Sequence, residues 1–203
     1  QRWIAPLLIL VLTALSVGAQ VTPYTSNAIQ AIPPNIAGRD FPAMMMLAAS
    51  RDHTLFGPMY TDYEDLTGSG RINPTYVPTF EYYGYFDPSK CYGYDGSKFV
   101  PKAIRHAKNW CSGVAGGRWS GNFLNWASMS RIDVVRKMLY GGSRFVDEPN
   151  STVLQTALLG SDAHAFAKYY RGEDIALYTP FTTKHLVDAN GAYVGLTTCA
   201  MSY

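Results

Sequence analysis

The feature that most constrains the fold is the stretch from Phe56 to Gly117, which is dominated by Gly, Pro, Tyr and Asp and shows no clear periodicity. A run of that length without regular patterning, inside a folded domain, reads as a functional insertion or an elaborate loop. Within it, "EYYGYFDPSKCYGYDGSKF" gathers Tyr82, Tyr83, Tyr85, Phe86, Tyr92 and Tyr94 around Cys91. Short strands such as "TYVPTFEYYGYF" are expected here. A helix is expected no earlier than "PKAIRHAKNW", where Pro101 suits a first helical turn.

What the aromatics do depends on the compartment. "QRWIAPLLILVLTALSVGAQ" places Arg2 before an apolar stretch and small residues at Val17 and Ala19, the pattern of a secretory signal peptide over residues 1–19. The apolar run is shorter than a membrane span needs, and residues 20–41 read as an extended, Pro-containing lead-in, so no stable span is expected after cleavage. The sequence lacks an initiator Met and stops in a strand-like run, so both ends read as cut. An exported chain reaches an oxidising compartment, where its three cysteines can pair. Cys91 and Cys111 flank the aperiodic loop and are the expected disulfide. Cys199 is left to a cysteine outside this sequence, or to a buried free thiol.

With 203 residues, 47% hydrophobic and 16% charged, the chain can bury one ordinary core. Its net charge is +2 and its basic residues are scattered among acids, so nucleic acid is not an expected partner. "AMMMLAAS", Ala43 to Ser50, is a continuous apolar run that suits a strand buried on both faces, with a short buried helix as the competitor. "SGNFLNWASMSRIDVVRKMLYGG" is the most secure helix, with Ser120 as cap and Gly141 and Gly142 as stop. Its apolar arc holds Phe123, Leu124, Ala127, Val134, Val135, Met138 and Leu139, with Asn125, Asp133, Arg136 and Lys137 opposite. Trp126 lies outside the arc, and Arg131 within it calls for a carboxylate partner. "RFVD" and "TVLQTALL" read as short elements and "SDAHAFAKYYRG" as a second helix. Asn190-Gly191 reads as a hairpin turn between two strand-like runs. Together these give an α/β expectation.

The chemistry-bearing patterns are sparse. Asp62, Glu64 and Asp65 precede Gly68 and Gly70, but Thr67 and Ser69 stand where a calcium loop wants carboxylates, so a polar turn is the better reading. No nucleophile elbow or zinc helix is present. Asp162 and His164, one residue apart on a helix, would face different sides. Asn150-Ser151-Thr152 fits a glycosylation sequon. The Tyr-rich segment either exposes Tyr82, Tyr83, Tyr85, Tyr92 and Tyr94 as a contact surface or packs upon itself with Trp110 and Trp119. Self-packing is the favoured reading.

Four motifs occur in the order "SRDHTLF…YTDYEDLTGSGRINPTY", "YYGYFDPSKCY", "WSGNFLNWASMSRIDVVRKMLYGG" and "DAHAFAKYYRGEDIALYTPF". In this they resemble the N-terminal region of the PilY family, secreted proteins associated with type IV pili. The resemblance spans nearly everything after Pro33. It implies a von Willebrand factor A-like sheet-and-helix core, incomplete here over residues 42–203, with a loop-rich, Tyr-rich insertion over about 56–117. Such domains often hold a metal at Asp-x-Ser-x-Ser; here Ala48, Ser50 and Asp52 match that motif, so the leading carboxylate is missing. The site is degenerate, and Ser50, Asp52, Asp62 and Asp65 are what remains to meet calcium or magnesium. No other cofactor is expected.

The resemblance implies a non-catalytic component of type IV pili, exported to the pilus tip, cell surface or outer membrane of a bacterium. It would meet pilus subunits, minor pilins, or host and surface ligands. The helix bearing Phe123, Leu124, Trp126, Arg131 and Val135 would be structural. An exported hydrolase, with Asp62, Glu64, Asp65 and Asp87 converging, and a stand-alone glycan-binding module are the alternatives.

Overall fold

The computed structural model describes Met46, Ala48 and residues 52–106 and 110–201. Contacts divide the chain after Ala48, and the following account concerns the part from Ala49 onward. The expected signal peptide, the lead-in over 20–41, Ser50 and most of the expected strand Ala43–Ser50 lie outside the described residues.

The fold is mixed α/β: seven short strands and two helices among the described residues. β1 (Lys90–Tyr94) is the centre of a three-stranded sheet between β2 (Phe99–Ile104) and β3 (Trp119–Ser120). α1 (Gly121–Ser128) and α2 (Arg131–Tyr140) follow, then the hairpin of β4 (Arg144–Glu148) and β5 (Ser151–Leu154). β6 (Phe166–Tyr170) pairs with β7 (Leu196–Ala200). Every described strand pair is antiparallel. The mostly parallel sheet that the resemblance implies is therefore not found among these residues. No described helix is long and apolar enough to cross a membrane.

The expected helix over 120–142 is two helices. Met129 and Ser130 are extended, at ψ 125° and 160°, and this joint pairs with residues 57–59: Met59 N–H donates to Met129 O at 2.9 Å and Arg131 N–H to Gly57 O at 3.1 Å. Ser130 then caps α2, accepting from Asp133 N–H while its hydroxyl donates to the Asp133 carboxylate at 2.6 Å. The break shifts the phase of the apolar arc. Met138 and Leu139, expected in the core, are 68% and 50% exposed, whereas Asn125 and Asp133, expected outside, are buried. Among the described residues Arg131 meets no carboxylate; its guanidinium donates to Thr54 O at 3.1 Å. α2 ends as expected at Gly141, whose φ of 86° suits glycine.

Two other helix expectations become strands. Pro101 lies in β2, an edge strand, the position in a sheet where proline is tolerated. "AFAKYY" becomes β6 because its burial alternates, with Lys168 and Tyr170 inward and Ala167 and Tyr169 outward, and because β7 supplies a partner from a distant part of the chain. The two runs expected as short elements form the β4–β5 hairpin. Asn190-Gly191 makes the expected tight turn, with Asp188 accepting from Asn190 and Ala192 N–H and Gly191 at φ 79°. The run before it holds a 3-10 turn, Thr183–His185, in place of a strand.

The core is aromatic. Tyr76, Tyr82, Phe123, Trp126, Tyr170 and Tyr178 form one buried cluster with Ile175 and Ala127. Tyr76 stacks on Tyr82 at 5.5 Å and meets Phe123 and Tyr178 edge-on at 5.1 Å. The aperiodic stretch thus shares one core with α1 and with residues 170–178. Such ring pairs add about 0.5–1.5 kcal/mol each beyond the area they bury. Burial pushes the hydroxyls of Tyr60, Tyr76 and Tyr85 up to about 12 from an ordinary 10. A raised folded-state value gives stability that is whole below pH 10 and lost as pH rises from 10 through 12. Urea midpoints measured across that range are expected to fall steadily, in step with tyrosinate absorbance.

Two asparagines on α1 hold the irregular loop against this core. Asn122 Nδ2 donates to Phe80 O at 2.9 Å and to the Tyr76 hydroxyl, while its Oδ1 accepts from Tyr82 N–H at 2.8 Å. Asn125 Nδ2 donates to Tyr82 O and Phe86 O at 2.7 and 2.8 Å, and its Oδ1 accepts from Phe86 N–H. The approach requires Gly84, since a Cβ there would collide with Asn125 Oδ1 and with Met129. Asn125→Ala removes three bonds to loop backbone and is expected to cost roughly 2–4 kcal/mol. Urea unfolding will read this as a lower midpoint with an unchanged m value.

Candidate functional site

The candidate site is the Tyr-rich hairpin and the groove beside it. β1 is gripped from three directions. It pairs with β2 on one side and with β3 on the other, and a disulfide joins Cys91 to Cys111 with Cα atoms 5.6 Å apart. Both cysteines are fully buried, and Cys111 N–H donates to Leu177 O at 2.7 Å. The cross-link therefore ties β1 to the segment that precedes β3 and encloses β2. A register shift at Cys91/Tyr92 leaves Lys102 unmatched in β2.

The aromatics divide by depth. Tyr82 and Tyr92 are buried, so these two cannot serve as the contact surface expected of them: Tyr82 is in the core cluster, and the Tyr92 hydroxyl accepts from Asp87 N–H at 2.8 Å. Tyr85 is half-buried, its hydroxyl accepting from Ser143 N–H. Tyr83 and Tyr94 are 49% and 57% exposed. A chain of rings leads outward from the interior. Tyr92 meets Phe86 at 5.1 Å, Phe86 meets Phe99 at 5.4 Å, and Phe99 meets Tyr94 at 5.1 Å. Trp119 joins this chain through Phe99 at 5.8 Å.

Asp95 organises the hairpin turn by accepting from Ser97 and Lys98 N–H and from the Ser97 hydroxyl. These bonds hold its carboxyl down at about 2. Beside the turn, a groove of about 810 Å³ runs between this hairpin and the β4–β5 hairpin.

The described residues expected to meet a metal, Asp52, Asp62 and Asp65, do not converge. Asp52 caps a 3-10 turn, accepting from Thr54 N–H at 2.8 Å. Asp65 is spent on its own turn, accepting from Ser69 and Gly70 N–H at 3.0 and 2.6 Å. Asp62 Oδ1 accepts from Trp126 Nε1 at 2.8 Å, and its Oδ2 is 2.7 Å from Lys168 Nζ. Asp87, the fourth carboxylate of the hydrolase alternative, binds Ser89 and Lys90. Among the described residues no three His, Cys, Asp or Glu gather as a metal site. Asp162 and His164 do meet, at 2.8 Å, because they lie in a turn and not on a helix.

The Asp62–Lys168 pair is a feature that sequence reasoning missed. Lys168 is 4% exposed, lies 5.4 Å from the centre of the Trp126 ring, and also donates to Tyr60 O. Asp62 takes a left-handed backbone, φ 63°, to reach both partners. The pair clamps the segment before the Tyr-rich loop to α1 and β6. A lysine between aromatics in an alternating run was its only trace in the sequence. Cys199 is exposed and unpaired among the described residues, contrary to a buried thiol.

A model of the PilY1 homolog small alpha/beta domain matches residues 73–202, more than half of the chain. The chain belongs to the PilY1-homolog family. Two proteins of Xylella fastidiosa (strain Temecula1 / ATCC 700964), each called type IV pilus biogenesis factor PilY1 homolog, are similar to it. One is 37% identical over 145 residues, 68% of this chain and 10% of the relative. The other is 35% identical over 129 residues, 60% of this chain and again 10% of the relative. The chain thus spans about a tenth of the length of these relatives. No solved structure matches it.

The stretch matched by the PilY1-homolog domain model takes in the core cluster, both helices and the Cys91–Cys111 disulfide. That cross-link spans a sequence separation of 20, for which loop-closure entropy predicts about 3 kcal/mol. Replacing both cysteines by Ser is expected to lower stability by that amount in urea. Wild type under dithiothreitol should match the variant.

Proposed function

We propose that the chain is a non-catalytic, exported component of type IV pili that acts in pilus biogenesis, surface adhesion or both. Family membership carries this reading, since the curated relatives are named as pilus biogenesis factors. In it the 52–201 unit is a rigid module. The disulfide and the Asn122 and Asn125 bonds hold a loop and a hairpin whose outer aromatics, Tyr83 on the loop and Tyr94 on the hairpin, meet a pilus subunit, a minor pilin or a host or surface ligand. Rigid aromatic side chains lose little entropy on contact, which suits them to that role.

The von Willebrand A-like reading takes about 56–117 as the insertion; because every described strand pair is antiparallel, we extend that insert to the whole 52–201 unit. Two observations support an insert. The His53 ring is 6.1 Å from that of His164, and Phe166 pairs with Ala200, so the stretch at His53 and the end of β7 lie at one end of the β6–β7 pair. Neighbouring ends are what insertion into a loop of another domain requires. The family description of a small alpha/beta domain agrees with a self-contained unit.

The test is complementation in the source bacterium. Tyr83→Ala/Tyr94→Ala, which touches no buried bond network, and Cys91→Ser/Cys111→Ser are each expected to reduce surface pili or adhesion, with the protein still exported. Normal piliation and adhesion by both variants, each present at wild-type level, would sink the proposal.

A further inference from the structure

The geometry points to the groove between the β1–β2 and β4–β5 hairpins as a binding site for an oligosaccharide carrying an acidic sugar. The inference rests on the contact-surface reading above and names its ligand class. Pyranose rings present C–H groups on their faces and hydroxyls at their rims. A site for them needs flat aromatic surfaces backed by uncharged donors and acceptors.

The groove offers both. On one wall the Tyr94 ring is 57% exposed. It is held in place by contact with Phe99 at 5.1 Å and by its hydroxyl donating to Gly96 O at 3.0 Å. On the other wall Phe145 is 70% exposed. The register shift between Arg144 and Val146 leaves Phe145 as the extra residue of β4, and a bulge of this kind re-aims a side chain. An aromatic ring turned towards a groove by an irregularity in its own strand is a presented surface, since a regular ladder would have set it otherwise. Between the walls, β5 and the residues after it contribute Ser151, Thr152 and Gln155, whose side chains hold no hydrogen bond among the described residues.

Charge selects the kind of sugar. The groove lining contains no Asp or Glu, and its one charged residue is Lys98. The nearby Asp95 carboxylate is already engaged by Ser97 and by Lys98 N–H. A ligand carboxylate at Lys98 Nζ, with a ring on Tyr94 or Phe145, satisfies the cation and the aromatic faces at once. An apolar helix would leave Ser151, Thr152 and Gln155 covered without partners.

The full-length oxidised protein would be titrated calorimetrically with 3′-sialyllactose and tetragalacturonate, and with lactose and maltotetraose as neutral counterparts. At least one acidic sugar is expected to bind roughly tenfold more tightly than its neutral counterpart. Tyr94→Ala/Phe145→Ala should abolish that binding, and Lys98→Gln or high salt should erase the acidic preference alone. Circular dichroism and urea midpoints establish that the variants fold. Four flat titrations, equal affinity for acidic and neutral sugars, or binding that survives the double aromatic variant overturns the inference. So does a Thr-Val-Thr-Val-Thr peptide that binds and displaces the sugar, which would assign the groove to an added strand on the open β5 edge. Flat titrations with piliation or adhesion still lost in Tyr83→Ala/Tyr94→Ala remove only the sugar. Normal piliation and adhesion with sugar binding intact removes only the pilus role.

Discussion

The structure depends on the hydrogen bonds that Asn122 and Asn125 make to the backbone of residues 80–86. That backbone is in no strand or helix, so its amides and carbonyls have no ladder to satisfy them. Buried without partners, each would cost about 1–3 kcal/mol, enough in sum to expel the loop from the core. Two amide side chains, one helical turn apart on α1, do the work of a neighbouring strand. They let Tyr82 reach the centre of the aromatic cluster while leaving Tyr83 outside.

Other contacts build outward from this one. The core cluster is assembled from rings distant in sequence, and the Asp62–Lys168 pair and the disulfide close it at its margins. A buried ion pair is weak evidence of stability by itself. Here it sits against the Trp126 indole and a backbone carbonyl, so both charges have partners beyond each other. The outcome is a small module with a firm interior and a few aromatics outside, Tyr83, Tyr94 and Phe145 among them. In the proposed pilus role that division matters, because a contact surface is useful only when its side chains are held in place before the partner arrives.

The sequence by itself determined the covalent and local features. The spacing of Cys91 and Cys111 about an aperiodic loop, the Ser120 cap, the stop at Gly141 and the Asn190-Gly191 turn each follow from chemistry within a few residues. Motif order likewise carried the family. Tertiary structure decided what depended on partners far along the chain. The helix breaks at Met129-Ser130 because residues 57–59 pair with the joint. β6 is a strand because β7 is there to meet it, and Asn125 and Asp133 are buried because a loop and Ala157 N–H need their oxygens. Periodicity sorts residues by polarity alone, and it cannot see that a polar side chain belongs inside when an irregular backbone some forty residues away has no other partner.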